Sequence, residues 1–171
     1  MAAGEDRDHV DRILGQWADV RPDVDSSPIG VVGRVSRLSR VLDRVLAENF
    51  ARHGIENWMY DVLATLRRIG EPHELTAGEL VRQSMVTTGA ITNRIDRLEQ
   101  RGLVERARTA DRRKVLVRLT PSGKALVDDV VASHMATERE ALAALSGPER
   151  AQLAGLLRTL LVALGDGEDD R

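Results

Sequence analysis

The order of helix and turn signals between residues 76 and 119 constrains the fold more than any other feature. The pattern Thr76-Ala77-Gly78-Glu79 is a capping box, which predicts that a short helix begins there. A second helix is predicted over about 88–101, because Gly102 stands where a left-handed C-cap belongs. Two helices in such close succession are typical of a helix-turn-helix.

Two short strands are predicted directly after these helices. Residues 103–107 form the first and residues 114–119 the second, which has apolar side chains at alternate positions from Val115. The tip between them, Arg108-Thr109-Ala110-Asp111-Arg112-Arg113, is strongly charged. The complete order indicates a winged helix-turn-helix, whose second helix enters the DNA major groove.

Further helical patterns lie on both sides of this region, over about 8–18, 29–52, 57–69, 121–144 and 147–164. The fold class is therefore expected to be mainly α. We expect an N-terminal extension with a short helix (1–28), dimerisation helices (29–56 and 121–165), a winged helix-turn-helix DNA-binding region (57–120) and an acidic tail (166–171).

Two of these helices carry more apolar residues than a single chain needs for its own core. The 29–52 helix carries a stripe of valines and leucines, and leucines form one continuous face on the last helix. We expect them to form an obligate, intertwined homodimer interface. Two recognition helices would then sit about 34–36 Å apart, on successive major grooves.

The charge distribution favours a nucleic-acid partner, although the net charge of the chain is −2. Nine basic and only four acidic residues lie between positions 94 and 118, so the rest of the chain is acidic. A local basic patch suits a protein that touches DNA with one surface. An ordinary solvated charged face is the alternative explanation.

One face of the second helix has the side chains expected of a base-reading surface. Its buried stripe is Ile91, Ile95 and Leu98, and helical geometry places polar residues opposite. The expected DNA-contacting residues of this helix are Thr88, Gly89, Thr92, Asn93 and Arg97. Asn can pair with adenine and Arg with guanine, whereas Gly permits close approach of the backbone.

The hairpin tip supplies the second expected DNA contact. Arg112 and Arg113 are placed to enter a minor groove, where narrow A·T tracts attract cations. Asp111 can orient one of them through a charge-assisted hydrogen bond. A solvated charged turn would have the same composition.

The motif residues resemble the signature of the MarR family of regulators. They are Leu98-Glu99-Gln100-Arg101-Gly102-Leu103-Val104-Glu105-Arg106, then Asp111-Arg112-Arg113, then Leu119-Thr120-Pro121-Ser122-Gly123. The resemblance covers about 29–164 in matching helix order. It implies a winged-helix homodimer that binds a palindromic operator, with Arg113 in the minor groove and Asp111 supporting it.

Within that family, the chain resembles the urate-responsive branch. The matching positions are Trp17, Asp61, Arg94 and Arg106. The resemblance implies that Trp17 and Arg94 hold an anionic ligand. It also implies that the ligand repels Asp61 and that Arg106 relays the displacement to the recognition helix.

The residues themselves support part of this assignment. Arg94 lies on the flank of the buried stripe, so it needs an acidic partner or an anionic ligand. Periodicity places Asp61 on an exposed face, where an arginine could pair with it. Trp17 could equally be a hydrophobic anchor for its helix, and Arg106 could contact a phosphate.

Several other classes are disfavoured by composition. There is no cysteine, so disulfides and thiolate metal sites are excluded, and the four histidines are scattered. No catalytic residues, cofactor, metal or membrane partner is therefore expected, and the location is expected to be cytoplasmic. The expected function is a ligand-responsive regulator, most simply a repressor released by an anion such as urate. Alternatives are tricarboxylate, phenolic-acid or metal effectors, and a pure protein-interaction module.

Overall fold

Seven helices and three short strands make up the described part of the chain, which is residues 7–84, 91–108 and 115–166 of a computed structural model. They are α1 (His9–Val20), α2 (Ile29–Arg52), α3 (Asn57–Arg68), β1 (Glu74–Thr76), α4 (Ala77–Gln83), α5 (Ile91–Gln100), β2 (Val104–Arg108), β3 (Val115–Leu119), α6 (Pro121–Ala141) and α7 (Gly147–Ala163). The mainly α class and the winged-helix order are confirmed. None of these helices, in the described ranges, has the length and apolar character of a membrane span.

The chain divides into two units, Met1–Glu48 and Asn49–Arg171. In the N-terminal unit, Asp8 caps α1 by accepting hydrogen bonds from the backbone of Val10 and Asp11, at 2.7 and 3.0 Å. Arg34 of α2 binds the carboxylates of both Asp8 and Asp11. Val10 is buried against Gly33. The predicted short N-terminal helix is confirmed, with two further residues at its end.

The core of the C-terminal unit lies between the helices and one face of the sheet. Its fully buried side chains include Phe50, Met59, Leu63, Leu66, Leu80, Leu98, Val117, Val127 and Val130. The sheet is antiparallel with the order β1-β3-β2, so β3 is central. Strand β1 was not predicted, because three residues are too few to show an alternating pattern.

Local signals in the sequence set most of the element ends. The capping box predicted at Thr76 is present, and a second one at Ser146 begins α7. Gly102 has a φ of +67°, which confirms the expected left-handed C-cap of α5. The long helix α6 ends at Ala141, earlier than predicted. The Arg150 guanidinium binds the carbonyls of Leu142 and Leu145 there, at 3.1 and 2.9 Å, and so stabilises a turn instead.

A close backbone contact joins the start of α6 to the base of the hairpin. The Thr120 backbone donates to the carbonyl of Leu103 at 3.2 Å, and the Thr120 hydroxyl accepts from Gly123 at 3.0 Å. A Cβ atom on Gly123 would lie 1.9 Å from the Leu103 oxygen. Only glycine therefore fits at the last position of the Leu-Thr-x-x-Gly motif.

We expect Gly123→Ala to destabilise the protein by about 2–3 kcal/mol, because the new methyl group overlaps backbone that cannot move aside cheaply. Gly78→Ala is the matched control, since its Cβ would meet only the tip of Arg82, at 3.8 Å. Helix propensity predicts that the control is neutral or stabilising by up to about 1 kcal/mol. Urea denaturation measures both, and equal stability of the two variants would contradict the steric argument.

Candidate nucleic-acid interface and adjoining cavity

Helix α5 has a buried apolar side and an exposed polar side, as a base-reading helix requires. Of the predicted buried stripe, Ile95 and Leu98 are buried and Ile91 is half-buried, whereas Thr92 and Asn93 are exposed on the other side. The remaining expected contacts at the start of this helix, Thr88 and Gly89, lie outside the described residues, as do Asp111, Arg112 and Arg113 of the hairpin tip. In the described part, the exposed polar surface of α5 is available to a partner.

Arg97, which was expected to face the groove, is half exposed and is held by two residues at the start of α3. Its Nη2 donates to Oε1 of Glu56 at 2.6 Å. Its guanidinium carbon lies 4.7 Å from the ring centroid of Trp58, within cation–π distance. No sequence pattern indicates this contact, because Glu56 and Arg97 are 41 residues apart.

Glu56 is the centre of this contact. Its Oε2 accepts a hydrogen bond from the Trp58 indole at 2.9 Å, while its backbone carbonyl accepts from Met59 in the first turn of α3. The indole hydrogen bond, followed by the bond to Arg97, lowers the pKa of the Glu56 carboxyl below its ordinary value of 4.5. Glu56 is therefore a carboxylate at neutral pH.

Arg94 occupies the flank of α5, as helical geometry predicted. It is half-buried, and its guanidinium carbon lies 5.7 Å from the ring centroid of Trp58. No ion pair within residues 7–84, 91–108 and 115–166 includes Arg94. Its positive charge therefore faces an aromatic ring rather than a carboxylate in this part of the chain.

Two further arginines fix the far end of α5 and the hairpin. Arg101 donates to the carbonyl of Gly54 at 3.1 Å, which ties the end of α5 to the turn before α3. Arg106 of β2 binds both Asp96 and Glu99 on α5. The bond to Asp96 raises the pKa of Arg106, so this charge is permanent. The hairpin and the recognition helix α5 are thus joined through Arg106.

A cavity of about 630 Å³ lies between α3 and α6 in the same unit. It is lined by Tyr60, Asp61, Ala64, Arg67, Arg68, Gly70, Val127, Asp128, Val131, His134, Met135 and Glu138. Asp61 is half-buried in this lining, so the exposed position expected from periodicity was wrong. Helix α6 covers the side of α3 that the amphipathic pattern left as surface.

The cavity combines apolar walls with fixed charges. Arg67 is paired with Asp128, with 2.6 Å between Nε and Oδ1, and Arg68 donates to the backbone carbonyl of Gln83. Burial raises the pKa of Tyr60 to about 12, so its hydroxyl keeps its proton at any physiological pH. A pocket of this size suits a small organic ligand.

The three expected ligand residues of the C-terminal unit make different contacts. Asp61 lines the cavity, Arg94 faces Trp58, and Arg106 joins β2 to α5. Trp17 lies on α1 of the N-terminal unit, with 45% of its surface exposed. Trp58, which no sequence pattern indicated as a site residue, lies one helical turn before Asp61, on the same side of α3.

One cluster resembles a hydrolytic triad in its residue types. His53 lies 2.8 Å from the Ser133 hydroxyl through Nε2 and 3.2 Å from Asp129 through Nδ1. Ser133, however, donates its proton to the Val130 carbonyl at 3.0 Å, so it is not prepared as a nucleophile. Within the described ranges, no three His, Cys, Asp or Glu side chains are grouped closely enough to hold a metal ion.

Comparisons with known proteins agree with this arrangement. The MarR family profile matches residues 60–115, which run from α3 to the start of β3. The transcriptional regulator PecS of Dickeya dadantii is 39% identical over 149 residues, which are 86% of this chain and 90% of PecS.

Two solved structures relate the fold to DNA and to a ligand. A mutant MarR from E. coli, complexed with operator DNA, has a TM-score of 0.69 at 28% identity, over 85% of this chain and 97% of that one. BpsR of Bordetella bronchiseptica, whose DNA binding is regulated by 6-hydroxynicotinic acid, has a TM-score of 0.68 at 27% identity, over 76% and 91% of the two chains.

Proposed function

Because the chain belongs to the MarR family of DNA-binding transcriptional regulators, we propose that it is a homodimeric repressor that binds a palindromic operator and releases it when a small planar anion binds. The observation that supports DNA binding is the separation of apolar and polar side chains on opposite sides of α5. Ile95 and Leu98 on its apolar side are buried, and Thr92 and Asn93 are exposed on the opposite side. Arg112 and Arg113 then enter the minor groove, with Asp111 in support.

Neutralising the hairpin tip tests the DNA contact. We expect Arg112→Gln with Arg113→Gln to weaken operator binding about tenfold or more. We also expect the slope of log affinity against log salt to fall, because a protein that neutralises fewer phosphates releases fewer counterions when it binds. Arg139→Gln with Arg158→Gln removes the same charge from exposed positions on α6 and α7. Fluorescence anisotropy at several salt concentrations measures both pairs, and identical curves would contradict the proposed wing contact.

The dimer is proposed from apolar surface that the single chain leaves exposed. Val32, Val35 and Leu38 of α2 expose 67, 46 and 47% of their surface. No residue of α7 is buried, and Leu156, Leu160 and Leu161 expose 59, 47 and 50% of their surface. Apolar faces of this extent on two helices mark an interface with a second copy of the chain.

Placing a charge on the α7 stripe tests the dimer. Leu160→Lys puts an ammonium group into the proposed apolar interface, so we expect the dimer dissociation constant to rise by at least about tenfold. Gln152→Lys adds the same charge to an exposed polar position of α7 and serves as the control. Sedimentation equilibrium measures both variants, and a wild-type protein that stays monomeric would refute the proposal.

The effector is proposed to be a small planar anion such as urate, bound through Arg94 and Trp17. The support is that Arg94 is a half-buried cation that faces Trp58 without a carboxylate in the described part of the chain. The anion repels Asp61, and Arg106 carries the shift to α5 through Asp96 and Glu99. Regulation of BpsR by 6-hydroxynicotinic acid, a planar acid, is consistent with this ligand class.

Titrating the operator complex with urate tests the effector. We expect release at or below millimolar urate, and we expect Arg94→Ala to raise the urate concentration needed for half-release by about tenfold or more, because the buried anion loses its counter-charge. Citrate and salicylate are run in parallel to distinguish the carboxylate alternatives, and zinc analysis of the purified protein tests a metal effector. Unchanged release by Arg94→Ala would reject this site.

A further inference from the structure

We propose that Glu56 is a built-in competitor of DNA: its carboxylate holds Arg97 on Trp58 in the free protein, and a DNA phosphate or base edge takes its place in the complex. The inference rests on the proposed function, since it assumes that α5 enters the DNA. It assigns a role to two residues, Glu56 and Trp58, that lie outside the helix-turn-helix itself.

The contacts of Arg97 are weak and accessible enough for another anion to replace Glu56. The guanidinium has one short ion pair to Glu56 and one stacking contact to Trp58. The side chains of Arg97 and Glu56 remain 51 and 55% exposed, so a solvated anion can reach the pair from outside. Exposed ion pairs are weak, worth a factor of about 1.5–5 in an equilibrium constant, and a phosphate can displace one.

The carboxylate of Glu56 makes hydrogen bonds of the kind that a DNA phosphate makes. It is the residue that precedes the first turn of α3, yet its side chain makes no capping hydrogen bond to that helix. Instead it accepts from an indole and a guanidinium, as a phosphate oxygen would. A glutamate with no capping role, directed at a cation of the recognition helix, lowers the affinity for duplexes of any sequence.

The neighbouring arginines, one on α5 and one directly after it, make other contacts, so this role is specific to Arg97. Arg101 is bound to a backbone carbonyl and to the sulfur of Met59, and Arg94 is half-buried over the same ring at the larger distance of 5.7 Å. In the described part of α5, Arg97 is the arginine that is paired with a carboxylate and also half exposed.

Glu56→Gln in the full-length dimer tests the proposal. The glutamine keeps an acceptor for the Trp58 indole and removes only the charge that holds Arg97. We expect affinity for an operator duplex and for a scrambled duplex to rise about threefold, and the salt slope to steepen by up to about one unit per subunit, because Arg97 becomes an additional phosphate contact. Glu56→Asp, which keeps the charge, should stay close to wild type.

Two controls make the result decisive. Glu140→Gln removes the same charge from an exposed position on α6, so it measures the effect of net charge alone. The second control repeats Glu56→Gln in an Arg97→Gln background, where the competitor model expects no gain in affinity. Thermal unfolding of each variant checks that the fold is retained.

The outcomes separate the inference from the function on which it rests. A threefold gain that vanishes in the Arg97→Gln background supports competition. A gain no larger than that of Glu140→Gln, a gain that persists without Arg97, or weaker binding by Glu56→Gln overturns it, while DNA binding by the wild type leaves the proposed function standing. A wild-type protein that binds neither duplex overturns both.

Discussion

The attachment of α5 to its neighbours through arginine side chains is the constraint on which the DNA-reading surface depends. The helix has ten residues and buries only Ile95 and Leu98, so apolar packing alone gives it little orientation. Arg97 and Arg101 hold it against the start of α3, and Arg106 holds it against the hairpin. Each contact is worth only about 1 kcal/mol or less at such exposure. A helix held in this way keeps its place in the free protein and can still be displaced by a ligand of modest affinity.

The close contact at Gly123 extends this connection to α6. The start of α6 is pressed against the carbonyl of Leu103 at the base of the hairpin, so the two elements cannot shift independently. The cavity lies between α6 and α3, and α3 in turn carries Trp58, on which Arg94 and Arg97 stack. A ligand that changes the spacing of α3 and α6 would therefore act on α5 from both sides. A coupling of about 1–3 kcal/mol between the sites is enough to change DNA affinity by one or two orders of magnitude.

Helix caps and apolar stripes could be predicted from the sequence, whereas contacts between elements far apart in the chain could not. The capping box at Thr76, the C-cap at Gly102 and the burial of Ile95 and Leu98 on α5 depend on residues within one or two turns, so these predictions are confirmed. The partner of Arg97 lies 41 residues away, and Asp61 was placed on an exposed face because nothing in its own helix shows that α6 covers it. Such contacts arise from packing between elements, which periodicity within one element cannot report.

The same packing determines how many cations a chain with a net charge of −2 offers to a duplex. Several acids close to the basic patch are used internally: Glu56 faces Arg97, and Asp96 and Glu99 face Arg106. The pairing of these arginines reduces the number of cations that the free protein offers to a duplex. Affinity then depends on few unpaired charges, so any event that changes a single pairing alters it, and each arginine released from its carboxylate steepens its dependence on salt. A carboxylate beside α5 therefore influences the number of cations offered to a duplex as directly as an arginine on α5 does.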